Sequence, residues 1–228
     1  MKYIFTLIIS LFFLSSFGQQ MTYQEWQEQA KTEIRLLPEY GHVPKTTEQI
    51  AADNKFIAYE LTQDGTHRSA SDSVIKRGFD YLYRGNVKTA MYRFNQAWLL
   101  DPKNENVYWG FGAIYFSFND YEEALKQYEK GLRINPNSSN ILTDKATVYM
   151  TFYESSNNPD DLNKAIAIFK QSYKVNRSNQ NTLFKMSAAY YYKKDCSNAR
   201  RFYNECMKLG GQQISPGYGE ALNKLCGK

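Results

Sequence analysis

The chain has 228 residues, 43% hydrophobic and 16% aromatic, with 28 Lys and Arg against 23 Asp and Glu for a formal charge of +5. That length suits one helical array, and the mild charge is not the dense basic stripe a nucleic-acid surface needs, so nucleic acid is excluded as a partner. Only two histidines occur, His42 and His67, and neither has a Cys, Asp or Glu partner at ligand spacing, so no metal site and no cofactor are expected.

The first residues read as an export signal. Lys2 is followed by an apolar run from Tyr3 to Leu14 and then by small residues at Ser16 and Gly18, which predicts a signal peptide over residues 1–18, cut after Gly18. The run falls short of the ~20 residues a spanning helix needs. No stable membrane span then remains after signal removal, and the alternative is an uncleaved anchor. No cysteine stands near the cut, which excludes lipid attachment at a new N-terminal cysteine. Its end, Phe17-Gly18-Gln19, resembles the signals of exported Bacteroidetes proteins. The mature chain is expected to be periplasmic or secreted.

Residues 19–70 predict an N-terminal helical cap. Trp26, Ala30, Ile34 and Leu37 share helical spacing over Thr22 to Leu37, ended by Pro38 and Gly41. A second helix from Thr46 to Leu61 carries Ile50, Phe56, Ile57 and Leu61 and stops at Asp64-Gly65.

Beyond residue 70 the chain repeats. Tyr81, Tyr115 and Tyr149 are spaced by 34, as are Ala90 and Ala124, Phe94 and Tyr128, and Pro102 and Pro136. Helix hairpins of this period cannot bury an apolar face alone and must stack. Gly78 and Gly112 lie one turn before Tyr81 and Tyr115, where a missing side chain admits a partner helix. The prolines end the second helix of each unit. Tyr149 to Tyr190 and Ala124 to Ala165 are each 41 apart, while Ala165 to Ala199 returns to 34, so seven extra residues fall inside the third hairpin. The polar run Glu154 to Asp160 predicts a protruding loop and second contact surface there, with Asn158 as N-cap and Pro159 at the first helical position. Arg177 replaces proline in that unit and predicts a softer exit. The units are 71–104, 105–138, 139–179 with the insertion, and 180–212. Residues 213–228, opened by Ser215-Pro216 and carrying Tyr218, Leu222 and Leu225, predict a C-terminal capping helix.

The set Gly78, Tyr81, Ala90, Phe94, Ala97 and Pro102, repeated as Phe111, Gly112, Tyr115, Ala124, Tyr128, Gly131 and Pro136, resembles the tetratricopeptide repeat (TPR) family. Met186, Tyr190, Ala199, Tyr203 and Cys206 hold the matching offsets in the fourth unit. The resemblance implies an all-α fold, a right-handed α-solenoid of about four helix hairpins with capping helices at both ends. It also implies a groove lined by first helices that binds extended or helical protein segments. Carried onto this chain, the groove positions are Ile75, Phe79 and Tyr83; Asn106, Trp109, Ala113 and Phe116; Asn140, Thr143, Thr147 and Met150; Asn181, Phe184, Ala188 and Tyr191. A subset of the family grips a C-terminal carboxylate with Lys, Asn and Arg at places held here by Ile75, Phe79, Asn140 and Asp144, so that clamp is absent. The expected partner-binding set is Phe79, Tyr83, Asn106, Trp109, Phe116, Asn140, Asn181, Phe184 and Tyr191. Asn side chains would pair with a bound backbone and the aromatics would form anchoring pockets. The competing reading is that the N-terminal helices, or an inward-folded Tyr23-to-Leu37 segment, fill the groove and make these aromatics core.

Export gives the three cysteines weight, because disulfides persist where the compartment is oxidising. Cys196 opens the second helix of unit four and Cys206 lies ten residues on, about 15 Å away at about 1.5 Å per residue, too far to bridge. An antiparallel capping helix brings Cys226 beside Cys196, so a Cys196–Cys226 bond with Cys206 free is expected; three reduced thiols are the alternative. No catalytic constellation emerges. Gly110 and Gly112 lie within a helix, not at its start, and Glu122-Glu123 and Asp160-Asp161 sit in first turns where the helix dipole favours them. Two functional classes remain: a non-enzymatic protein–protein adaptor of the cell envelope, or an inhibitor or immunity-type protein that plugs one enzyme or toxin.

Overall fold

The structure, a computed structural model, describes residues 21–227; the expected signal peptide and its cut lie outside the described residues. The elements are α1 (Tyr23–Ala30), short 3-10 turns at Ile34–Leu36 and Pro38–His42, α2 (Thr47–Asp64), α3 (His67–Tyr83), α4 (Val87–Leu100), α5 (Glu105–Ser117), α6 (Tyr121–Ile134), α7 (Ser139–Ser156), α8 (Pro159–Val175), α9 (Gln180–Tyr192), α10 (Cys196–Lys208) and α11 (Tyr218–Cys226). Among the described residues no strand occurs. Four hairpins, α3–α4, α5–α6, α7–α8 and α9–α10, stack in chain order. The first hairpin starts at His67, earlier than expected, because the Thr66 side chain caps it by accepting from the Ser69 N–H.

Polar residues in register cut the helices. Asn86, Asp120, Asn158 and Asp195 cap α4, α6, α8 and α10 by accepting first-turn N–H groups. At the exits, Asp101, Asn135 and Asn176 each accept a hydrogen bond of 3.0 Å from the N–H two residues on. The third exit is therefore as sharp as the others despite Arg177: the Asx side chain closes the turn without proline. The seven-residue insertion is not a protruding loop. It lengthens α7 and α8 to 18 and 17 residues, against 13 and 14 in α5 and α6, and the connection is only Asn157-Asn158, with Asn157 left-handed at φ 54°. Hydrogen-bonded helix is the cheaper place for polar residues that local capping already satisfies.

The core is an interlock of rings with glycines. Phe94 is fully buried; a Cβ on Gly78 or Gly110 would fall 2.5 or 2.4 Å from its ring. Tyr128 repeats the arrangement over Gly112, where a Cβ would fall 2.2 Å from the ring. The first helices touch in succession, α3 to α5, α5 to α7 and α7 to α9, whereas the second helices make no comparable contacts. The first helices therefore line the inner side of the array.

The N-terminal segment differs from the expected long helix. α1 ends at Ala30, because Leu36 turns into the core and Pro38 holds Leu37 extended at ψ 138°. Glu39, Tyr40, Gly41 and His42 then run left-handed at φ 54–63°. This strap lies on the second helices. Asn95 of α4 donates to Arg35 O and Leu37 O at 2.9 Å each and accepts from Tyr40 N. Arg35 stacks on Tyr92, Trp26 and Tyr23 pack on Phe118, and the Tyr23 hydroxyl donates to Asp120. Buried Glu39 pairs with His42 at 2.7 Å and with Lys130 of α6 at 2.8 Å. Helix α2 alone covers the N-terminal edge of the first hairpin. The strap and α2 leave the inner side uncovered.

At the other end α11 runs back along α10, and the structure joins Cys196 to Cys226 with Cα atoms 5.5 Å apart, leaving Cys206 free and buried. Thiol counting on the denatured protein is expected to find one free thiol before reduction and three after. The sequence separation of 30 sets the expected loss of stability on Cys196→Ser/Cys226→Ser at about 2–4 kcal/mol by denaturant titration. Gly110→Ala is expected to destabilise, since overpacking against a sandwiched ring costs about 1–3 kcal/mol and alanine returns only about 1 kcal/mol as a better helix former.

Candidate partner groove

Helices α3, α5 and α9 bring five of the nine expected residues to one cavity of about 400 Å³ on the inner side: Phe79, Tyr83, Trp109, Phe116 and Asn181. The rings of Phe79 and Trp109 pack at 4.2 Å and those of Phe79 and Tyr83 at 6.0 Å. Phe79 is buried while Tyr83 stands 78% exposed at the lip. Asn106 and Asn140 line an adjoining hollow that shares Phe79, Tyr83 and Trp109. Asn140 is partly engaged, its Oδ1 accepting from Asn179 at 3.1 Å.

The fourth hairpin departs from expectation. Phe184 and Tyr191 face the C-terminal cap, their rings 5.3 and 5.9 Å from Tyr218 of α11. They occupy the seam that the next hairpin would cover, and α11 covers it instead. Ile75 and Met150 are also core. Thr143 is fully buried in a hydroxyl cluster with Ser172 at 2.8 Å and Thr182 at 2.6 Å.

Three polar residues that motif reading did not nominate shape the cavity. The Trp109 indole Nε1–H donates to Asp144 Oδ2 at 2.7 Å, and Lys185 Nζ donates to Asp144 Oδ1 at 3.2 Å. Both carboxylate oxygens are thus engaged, which orients the indole and neutralises the acid. Tyr128, 1% exposed, reaches the same cavity from α6; burial, and then the nearby Asp144 charge, push its hydroxyl well above the usual phenol range. A signal for Asp144 and Lys185 was present, since they are spaced by 41, the shifted period that relates Tyr149 to Tyr190. Their pairing required knowing which face each presents.

Residues 81–146 match the family model described as tetratricopeptide repeat. The stacked hairpins resemble tetratricopeptide repeats. Among curated proteins the chain is 25% identical over 104 residues to the human mitochondrial import receptor subunit TOM70, covering 46% of this chain and 17% of that protein. It is 32% identical over 78 residues to the human superkiller complex protein 3, covering 34% of this chain and 5% of that protein. The chain thus spans less than a fifth of the length of these relatives. A crystal structure of a thermophilic TPR protein from Thermus thermophilus aligns with a TM-score of 0.57 at 14% identity, covering 68% of this chain and 80% of that one, a likeness of fold. Among the described residues no three or more His, Cys, Asp and Glu side chains converge as a metal site, and no helix is long and apolar enough to cross a membrane.

Half-buried Trp109 walls the cavity without being its deepest support. Trp109→Ala is expected to keep the fold and cost about 1–2 kcal/mol, against about 3–5 kcal/mol for Phe94→Ala, read by thermal or denaturant unfolding.

Proposed function

We propose that this chain is a non-enzymatic protein–protein interaction scaffold that holds a partner segment in its inner groove, and that it works in the cell envelope or outside the cell. The observation that carries the reading is the open aromatic cavity around Trp109, with the N-terminal strap bound on the opposite side of the hairpins. Concave apolar sites with a few placed polar groups are what partner segments use. Asn106 and Asn140 at the rim supply amides suited to a bound backbone. Export is supported by the amino-terminal sequence pattern and by the Cys196–Cys226 pairing, which needs an oxidising compartment to persist.

Photo-cross-linking tests the groove. A cross-linking residue at position 83 is expected to capture a partner in cells, whereas one at Lys170 on exposed α8 is not, and Phe79→Ala with Trp109→Ala is expected to abolish capture while circular dichroism stays helical. Equal capture from both positions, or capture that survives the double substitution, would overturn the reading.

A further inference from the structure

Cavity chemistry narrows what the groove would hold. Asp144 occupies a place where carboxylate-gripping relatives carry a base, and its charge is matched by Lys185 at 3.2 Å, so this pair offers no unmatched charge to a chain terminus or a charged side chain. Asp144 Oδ2 is taken by the Trp109 indole at 2.7 Å. The walls are Phe79, Leu82, Trp109, Ala113 and Phe116, which reward an apolar body. One hydroxyl on the cavity wall, that of Tyr128, makes no hydrogen bond within the protein among the described residues, although the residue as a whole is only 1% exposed.

That hydroxyl is not required for packing. The register position of Tyr128 is held by Phe94 one unit earlier and by Phe169 one unit later, and both are fully buried rings. The fourth hairpin carries Tyr203 at this position, but its ring lies against Tyr218 of α11; only in the second hairpin does the position border the cavity. A hydroxyl that faces the cavity without a protein partner is open to a hydrogen bond from a ligand.

We propose that the cavity is an anchor site for an uncharged aromatic side chain bearing a hydrogen-bonding group, a phenol or an indole, from an internal stretch of the partner, with its ring against Phe79 and Trp109 and its polar group on Tyr128. The inference rests on the groove reading and adds the identity of the anchor. An internal anchor is neutral and comes with backbone on both sides, which fits the Asn106 and Asn140 amides at the adjoining hollow. A cationic or anionic anchor would have to break the Asp144–Lys185 pair.

Three small probes of similar size, 4-methylphenol, benzoate and benzylamine, test it by NMR titration of the isotope-labelled protein, followed through the Trp109 indole N–H and, in every variant, the backbone amides of Phe79 and Ala113. The expected result is saturable binding of 4-methylphenol at least tenfold tighter than either charged probe, lost in Trp109→Ala. Tyr128→Phe keeps the ring that packs on Gly112 and is expected to weaken 4-methylphenol by about fivefold or more without lowering thermal stability. The proposal is overturned if benzoate or benzylamine binds as tightly as 4-methylphenol, if no probe shifts the indole resonance, or if Tyr128→Phe leaves the phenol affinity unchanged. Should cross-linking from position 83 succeed while the phenol preference is absent, the anchor falls and the groove stands; failure of both removes the groove as well.

Discussion

The first two hairpins of this array depend on one steric fit, an aromatic ring from the second helix of a hairpin seated where the first helices have no side chain. Phe94 lies between Gly78 and Gly110, and Tyr128 lies over Gly112. A single hairpin has two thin apolar faces and no interior. Only when a ring spans two units does a continuous dry core appear, because dispersion and burial both require atoms on every side. The inner side is where successive first helices touch one another, while the second helices make no comparable contacts. Trp109 and Phe79 can then meet at 4.2 Å across neighbouring units.

The outer side is held together differently. The strap between α1 and α2 carries three non-glycine residues, Glu39, Tyr40 and His42, in left-handed backbone, a conformation that costs about 1–2 kcal/mol per residue. What offsets it is specific: the buried amide of Asn95 binds the strap backbone at three points, and Glu39 is paired by Lys130 and His42. The strap is held by hydrogen bonds and ion pairs where the hairpins are held by shape. Its placement on α4 and α6 keeps the inner cavity free, so an element without a repeat signature decides whether the groove is open.

Legibility followed the same division. The hairpin register, the cap at Asn158 and the glycine positions could be read because each is a local requirement of residue type and spacing. The strap could not, since Trp26, Ile34 and Leu37 keep helical spacing while Leu36 is the residue that the core takes. The insertion was located correctly between Tyr149 and Ala165 but its form was not, because polar residues suit a loop and an extra helical turn equally. Of the nine nominated groove residues, Phe184 and Tyr191 turned out to lie under α11. A terminal unit presents its seam to whatever follows it, and register says nothing of the neighbour.

By itself the amino-acid sequence determined a stack of helix hairpins and the ring-and-glycine positions that join the first two, because those depend on residue type and spacing alone. It also carried the argument for Cys196 with Cys226, which needs only the rise of a helix and an antiparallel turn. Tertiary structure decided that the strap lies outside, that Asp144 joins Trp109 to Lys185, and that Tyr128 brings its hydroxyl to the cavity. The Asp144 contacts join residues 35 and 41 positions apart, and which partners meet depends on how each unit rotates against the next, a quantity set by packing across the whole stack.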